Sequence, residues 1–310
     1  MPNVLITGIQ SYLAQLVAGA LAGQPGVMVT GTASSLAGVA EPGVADLGVT
    51  LMQTTLRGQA LLDLFERVQP DTLIHLDQPG EQVGGQRRAG QLQTIELLAT
   101  AVARGVGTII LRSSTLVYGA SAEHPAFTPE DFPIDGSAAG LRGDYRAVER
   151  FAAELARKNP AVRIVTLRYA GLLGPGEPSP LACYLAGRPA PMLLGFNPRL
   201  QGLHVHDAAL ACTLAVFGTA TGAFNIAAEP AGLLHAIQLA GGTPLPLPAV
   251  AFVPWPIGHS IQASLIEQLP FDRSVLRFGC VADTSRAMRE LGWQARYTTT
   301  SALAAPSNLD

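Results

Sequence analysis

The chain has 310 residues, 48% of them hydrophobic and 14% charged, with a formal net charge of −3. That length gives ample core for one large domain or a domain with an added lobe. The low charge excludes a disordered chain, a coiled coil and a protein that grips nucleic acid through a basic surface.

Residues 3–7 (NVLIT) read as a short buried strand followed by Gly8. Residues 11–23 suit a helix, ended by Gly23, Pro25 and Gly26. Strands are expected at 27–31 and 49–53, an amphipathic helix at 59–68, and a strand at 71–76. A long helix is expected at about 90–104, a strand at 107–112, a charged amphipathic helix at 142–158 and a strand at 162–167. Such strand–helix alternation predicts an α/β fold: a doubly wound parallel sheet of Rossmann type. After about residue 170 the pattern loosens. Strands at 202–205 and 223–226, helices at 207–217 and 231–240, and a last helix at 283–291 are expected. Residues 244–256 hold five prolines and suit a loop or extended arm. The expected division is residues 1–170 as a Rossmann dinucleotide-binding-like domain and 171–310 as a smaller, interleaved C-terminal lobe of substrate-binding type.

The start MPNVLITG has neither a basic segment nor a cleavage site, so no secretory signal is expected, and no apolar run is long enough for a transmembrane span. Cys183, Cys212 and Cys280 lie far apart without metal-ligand spacing, which points away from disulfides and metal and towards a reducing, cytoplasmic setting. Between residues 200 and 266 only Asp207 and Glu229 carry formal charge. That segment reads as a Gly/Pro-rich lobe, or as an apolar pocket or partner surface. Trp255, between two prolines, is a candidate pocket wall or interface anchor, with core packing as the alternative.

Several pieces in order carry a family likeness: LITGIQSYLA at the N-terminus, IHL at 74–76, LRSSTLVYG at 111–119 and LRYAGLLGPG at 167–176. GLHVHDAALA at 202–211, FNIA at 224–227 and TSRAMRELGW at 284–293 continue it. The chain resembles the extended short-chain dehydrogenase/reductases of the NAD-dependent epimerase/dehydratase type. The likeness implies a dinucleotide held by Thr-Gly-x-x-Gly-x-x-Gly after the first strand. Here Gly8, Gln10, Ser11, Tyr12 and Leu13 occupy that loop, with Ser11 and Ala14 in place of the second and third glycines. The acid expected at the end of the second strand is absent from Val29-Thr30-Gly31-Thr32-Ala33. Small residues expected after the fourth strand are replaced by Asp77-Gln78, which places a carboxylate beside the cofactor path. The cofactor expectation is therefore none or weak NAD(P).

The resemblance also implies a Ser/Thr, a tyrosine and a lysine four residues later. That lysine lowers the tyrosine pKa by its charge. Ser114 stands at the Ser/Thr position. Two registers fit the helix: Tyr145 as the tyrosine with Glu149 for lysine, or Leu141 as the tyrosine with Tyr145 for lysine, the second being preferred. Neither supplies a lysine. Of the 20 basic residues 19 are arginine, and Lys158 lies about 20 Å along the helix from Tyr145. Arg142 and Arg146 supply charge but do not exchange protons near neutral pH.

Ser114, Tyr145 and Tyr169 are expected to meet near the cleft, with Arg199, His204, His206 and Asp207 from the lobe. His206 is a candidate acid/base group. Asp207 is expected to cap the following helix and His75 to be packed. The candidate catalytic residues are thus Ser114, Tyr145 and His206. The expected function is non-redox: a binding or scaffold role, or isomerase-, lyase- or cyclase-type chemistry on an apolar substrate. The alternative is an NAD(P)-dependent epimerase or reductase with an atypical site. Expected partners are a small apolar molecule or a protein, with a homodimer through the two long helices as an option.

Overall fold

A computed structural model describes residues 2–36, 39, 47–78, 87–134, 140–174, 179–249 and 269–304. Seven parallel strands form the main sheet. In chain order they are β1 (Asn3–Thr7), β2 (Met28–Ala33), β3 (Thr50–Gln53), β4 (Thr72–His75), β5 (Thr108–Ser114) and β6 (Arg163–Tyr169), with β11 (Gly222–Ile226) arriving late. Their spatial order is β11-β6-β5-β4-β1-β2-β3. The chain starts at the centre, winds outward to one side and then to the other, so a crevice opens at the carboxyl ends of β1 and β4. Val4, Leu5 and Ile6 are fully buried on both faces of the sheet, as a doubly covered parallel strand requires.

Helices α1 (Tyr12–Ala22) and α6 (Val205–Phe217) cover one face. Helices α2 (Gly58–Val68), α3 (Arg87–Ala103) and α4 (Gly140–Lys158) cover the other. In α2 the buried residues Leu61, Leu64, Phe65 and Val68 follow helical spacing, and Gln69 in a left-handed conformation ends it.

The second half of the chain does not form a separate block. After β6 it builds β7 (Gly171–Leu173), α5 (Pro180–Leu185), β8 (Ala190–Leu193), β9 (Arg199–Leu200) and β10 (Gly202–His204). It then returns to the main sheet with α6 and β11, whose residues Gly222–Ile226 pair with Val165–Tyr169. Next come β12 (Ala231–Gly232), α7 (Leu233–Leu239) and β13 (Pro244–Leu247). The last helices are α8 (Val275–Phe278) and α9 (Thr299–Ala304).

Two expectations need correction. Residues 244–247 are a strand, paired with Ala190–Leu193. Its prolines alternate with Leu245 and Leu247, an arrangement open to an edge strand. The expected helix at 283–291 contains a wide π-type turn, Ala287–Leu291, closed by the Trp293 N–H on the Ala287 carbonyl at 3.2 Å. That turn seats the buried Trp293, whose indole donates to the Asp207 carbonyl at 2.9 Å. Trp255 and the rest of its proline-rich arm lie outside the described residues.

Candidate functional site

Two cavities lie along the carboxyl edge of the sheet. The larger, about 500 Å³, is a cleft between the ends of β5 and β6, the start of α4 and the added lobe. The smaller, about 180 Å³, lies over the ends of β2, β3 and β4 beside the first glycine turn. Gln78 borders both.

The glycine turn is built from its own polar groups. Gly8 has φ +80°, a conformation that favours glycine. Ser11 is the N-cap of α1: its Oγ accepts from the Ala14 N–H at 3.3 Å and donates to the Gly8 carbonyl at 3.0 Å. The hydroxyl that replaces a glycine is therefore turned into the loop. Asp77 closes over the same turn. A Cβ placed on Gly8 would lie 2.7 Å from Asp77 Oδ1, and that oxygen accepts from Gln10 Nε2 at 3.3 Å. Burial raises the Asp77 pKa against the opposing pull of Gln10, Thr7 and Arg112. The smaller cavity presents Ala33 and Ser34 from the end of β2, with no carboxylate there, and Arg57 from beyond β3.

His75 lies beneath this turn and is packed, as expected. Its Nδ1 meets Thr7 Oγ1 at 2.6 Å and its Nε2 meets Thr94 Oγ1 at 3.0 Å. Thr94 spends its proton on the Gly90 carbonyl, so Nε2 carries the hydrogen and Nδ1 accepts from Thr7. The ring is neutral, and burial, with Arg112 nearby, pushes its pKa down to about 4.

The structure brings Ser114, Tyr145 and Tyr169 to the walls of the larger cleft. Ser114 Oγ accepts from the Leu116 N–H at 3.2 Å, capping the tight turn Thr115–Tyr118. Its own proton remains available to a ligand. The Tyr169 hydroxyl donates away from the cleft, to the Ala208 carbonyl at 3.2 Å. On α4, Leu141 and Tyr145, four residues apart, share the cleft-facing side. Glu149, one turn further, points into the protein instead. It is 6% exposed, pairs with Arg168 at 2.7 Å and accepts a short hydrogen bond from Ser113. Arg146 donates to the Val117 carbonyl at 2.7 Å, and Arg142 pairs with Asp272. Lys158 sits at the far end of α4, paired with Glu154 at 2.7 Å.

The lobe residues Arg199, His204, His206 and Asp207 do not line the cleft; Leu200 and Gln201 do. His206 is exposed, on the first turn of α6, with its ring over His204 and edge-on to Tyr12. His204, not Asp207, caps α6: its Nδ1 accepts from the His206 N–H at 3.3 Å. Asp207 lies three residues past that cap, already inside the first turn. Its Oδ2 instead accepts from the Arg296 and Tyr297 N–H groups, both at 3.0 Å. Asp207→Ala leaves those two donors unpaired and is expected to destabilise the fold by about 2 kcal/mol in urea unfolding. Asp207→Asn keeps one acceptor and is expected to lose less.

Sequence reasoning missed Arg112 and Arg57. Both were indistinguishable from the chain's many other arginines until the ends of β3 and β5 were placed at the two cavities. Among the described residues no cluster of three or more His, Cys, Asp or Glu stands together as metal ligands, and no helix is long and apolar enough to cross a membrane.

Comparison with known proteins follows the same outline. The chain is 29% identical over 260 residues to an uncharacterized protein of Mycobacterium tuberculosis strain H37Rv, covering 81% of this chain and 69% of that one. An uncharacterized protein of Mycobacterium bovis matches equally. Among solved structures it is similar to UDP-glucose 4-epimerase from Bifidobacterium longum in complex with NAD+ and UDP. That match has a TM-score of 0.73 and 22% identity, over 97% of this chain and 96% of that one. It is also similar to dTDP-glucose 4,6-dehydratase from Bacillus anthracis in complex with NAD, at TM-score 0.69 and 15% identity, over 98% and 94%. At these identities the solved structures show the shared fold alone. The model of the NAD dependent epimerase/dehydratase family matches residues 4–227, well over half of the chain. The chain belongs to the NAD-dependent epimerase/dehydratase family.

Proposed function

We propose that this chain uses the family cleft for a small molecule without hydride transfer, either as a binding protein or as an acid–base isomerase or lyase. The observation that carries the reading is the face of α4. Its cleft-facing pair is Leu141 and Tyr145, while Glu149 is committed to Arg168 beneath the cleft. This favours the register in which Leu141 stands at the family's tyrosine position and Tyr145 at its lysine position. A leucine has no proton to give, and a tyrosine carries no positive charge near neutral pH to activate a neighbour. Lys158 is 60% exposed in its ion pair with Glu154 and does not substitute.

The nucleotide side supports the same reading. The Asp77 carboxylate closes over Gly8, on the approach that a dinucleotide phosphate takes to the start of α1. The end of β2 has no acid for a ribose. These residues do not fit a tightly held, hydride-carrying dinucleotide, so no step is drawn through one. Within the cleft, Ser114 is left to orient a ligand through its free proton, beside the Tyr145 side chain that lines the same wall.

The test is direct. Protein denatured after purification is expected to release no NAD(H) or NADP(H). Mixing it with NAD+ or NADP+ and a panel of nucleotide sugars is expected to give no change in nicotinamide absorbance. Stoichiometric released dinucleotide, or a nicotinamide signal lost in Tyr145→Phe, would overturn the proposal and restore a redox member with an atypical site.

A further inference from the structure

The cleft contains a charge that packing does not account for. Arg112, on β5, is 7% exposed and lines the cleft. Among the described residues its guanidinium makes one hydrogen bond, from Nη1 to the Leu76 carbonyl at 3.2 Å. A guanidinium has five N–H donors, and buried ones are normally answered by a carboxylate or several carbonyls. The chain's other internal arginines follow that rule. Arg168 meets Glu149, the Tyr118 hydroxyl and the Glu130 carbonyl. Arg163 meets three carbonyls. Arg142, on the same cleft wall, is paired with Asp272.

No carboxylate among the described residues lies within ion-pair distance of Arg112. Asp77 feels its charge but borders the smaller cavity by the glycine turn, whereas Arg112 borders only the larger cleft. The Ser114 hydroxyl, with its proton available, lines the same cleft. The wall also has an apolar stretch, Leu172, Leu181, Leu200, Leu269, Phe271 and Val275, beside polar residues that include Gln78, Gln201 and the Arg142–Asp272 pair.

We propose that Arg112 anchors an oxyanion site in the cleft, so that the small molecule bound there carries a carboxylate or phosphate group on an apolar body. The inference rests on the reading of the cleft as a small-molecule site and names the chemistry of its ligand. A planar fork of donors recognises two oxygens of such a group at once, which gives orientation as well as affinity. The leucine and phenylalanine wall then takes the body.

The experiment is a calorimetric titration of the full chain with hexanoate, hexyl phosphate, inorganic phosphate and 1-hexanol, beside NAD+. One or both of the alkyl anions is expected to bind, and 1-hexanol at least tenfold more weakly. Hexanoate against hexyl phosphate separates the two sources of the oxyanion. In Arg112→Gln the alkyl anion is expected to weaken tenfold or more, with 1-hexanol unchanged. Arg112→Lys is expected to retain part of the affinity as a point charge. Thermal protection of the wild-type protein by the same probes gives a readout that does not depend on any variant folding. Equal binding of the alcohol and the acids, unchanged anion binding in Arg112→Gln, or no binding by any anionic probe overturns the proposal. If the only binding that responds to Arg112→Gln is that of NAD+, the oxyanion belongs to the dinucleotide and the non-redox reading falls with it. If NAD+ binds and turns over with its affinity unaffected by Arg112→Gln, while the alkyl anions still need Arg112, only the non-redox reading falls.

Discussion

Glu149→Ala is expected to destabilise the protein by about 3–5 kcal/mol, the largest effect of any single change at the site. The reason lies in what the carboxylate leaves behind. Arg168 is 6% exposed and reaches Glu149 through Nε at 3.1 Å and Nη2 at 2.7 Å. Its Nη1 continues to the Tyr118 hydroxyl at 2.7 Å, which donates to Asn225 Oδ1 at 2.7 Å. Asn225 in turn holds the Thr128 and Asp283 carbonyls, both at 3.0 Å. One carboxylate therefore ties α4 to β5 and β6, and through Asn225 to β11. Removing it strands a buried guanidinium with its strongest partner gone. Removing both charges is a different matter, because a well-packed apolar pair avoids the desolvation of two ions. Glu149→Leu with Arg168→Met is expected to lose much less than either single change. Urea unfolding of the four proteins in the cycle measures this. If Glu149→Ala loses under about 1 kcal/mol, the pair does not hold α4 in place, and the argument that Glu149 is withheld from the cleft fails with it.

The same network shows where the sequence could and could not be read. The parallel sheet was legible because its strands are short apolar runs between amphipathic helices, a pattern that few other arrangements bury. The late return of the chain was less so. Nothing local in FNIA distinguishes a seventh strand of the main sheet from a strand of the lobe; pairing with β6 is a long-range property. Ser114 and Tyr145 were found at the cleft because strand ends and helical spacing fix direction. His206 was misplaced for the converse reason. Two residues beyond β10 the backbone has already turned into α6, which carries the His206 ring over His204 instead of into the cleft. Arg112 and Asp77 carry the least local signal. Each is one charged residue at a strand end; the family likeness sets Asp77 beside the cofactor path, but only the sheet order places Arg112 at the cleft and closes Asp77 over Gly8.

Asp77→Asn is expected to raise the affinity for NAD+ by about a hundredfold over the wild-type chain. The substitution keeps shape and removes charge at the group that closes over Gly8. Two unit charges about 5 Å apart at an effective dielectric near 20 repel by about 3 kcal/mol, which is about a hundredfold in binding. The same term gives a pH dependence whose sign is fixed. Burial raises the Asp77 pKa, so its proton is retained further towards neutrality than on an ordinary carboxylate. The protonated form does not repel phosphate. Wild-type affinity for NAD+ is therefore expected to rise as pH falls, over a range above that of an ordinary carboxylate, and Asp77→Asn is expected to flatten that dependence. Calorimetry of both proteins across that range tests the two statements together. A wild-type chain that binds NAD+ tightly at alkaline pH contradicts them. A weaker Asp77→Asn protein contradicts them more instructively, since the carboxylate would then be accepting hydrogen bonds from the nucleotide's ribose rather than repelling its phosphates. The expected gain would instead identify Asp77 as the group that keeps a family nucleotide turn, otherwise capped and folded, from holding its coenzyme.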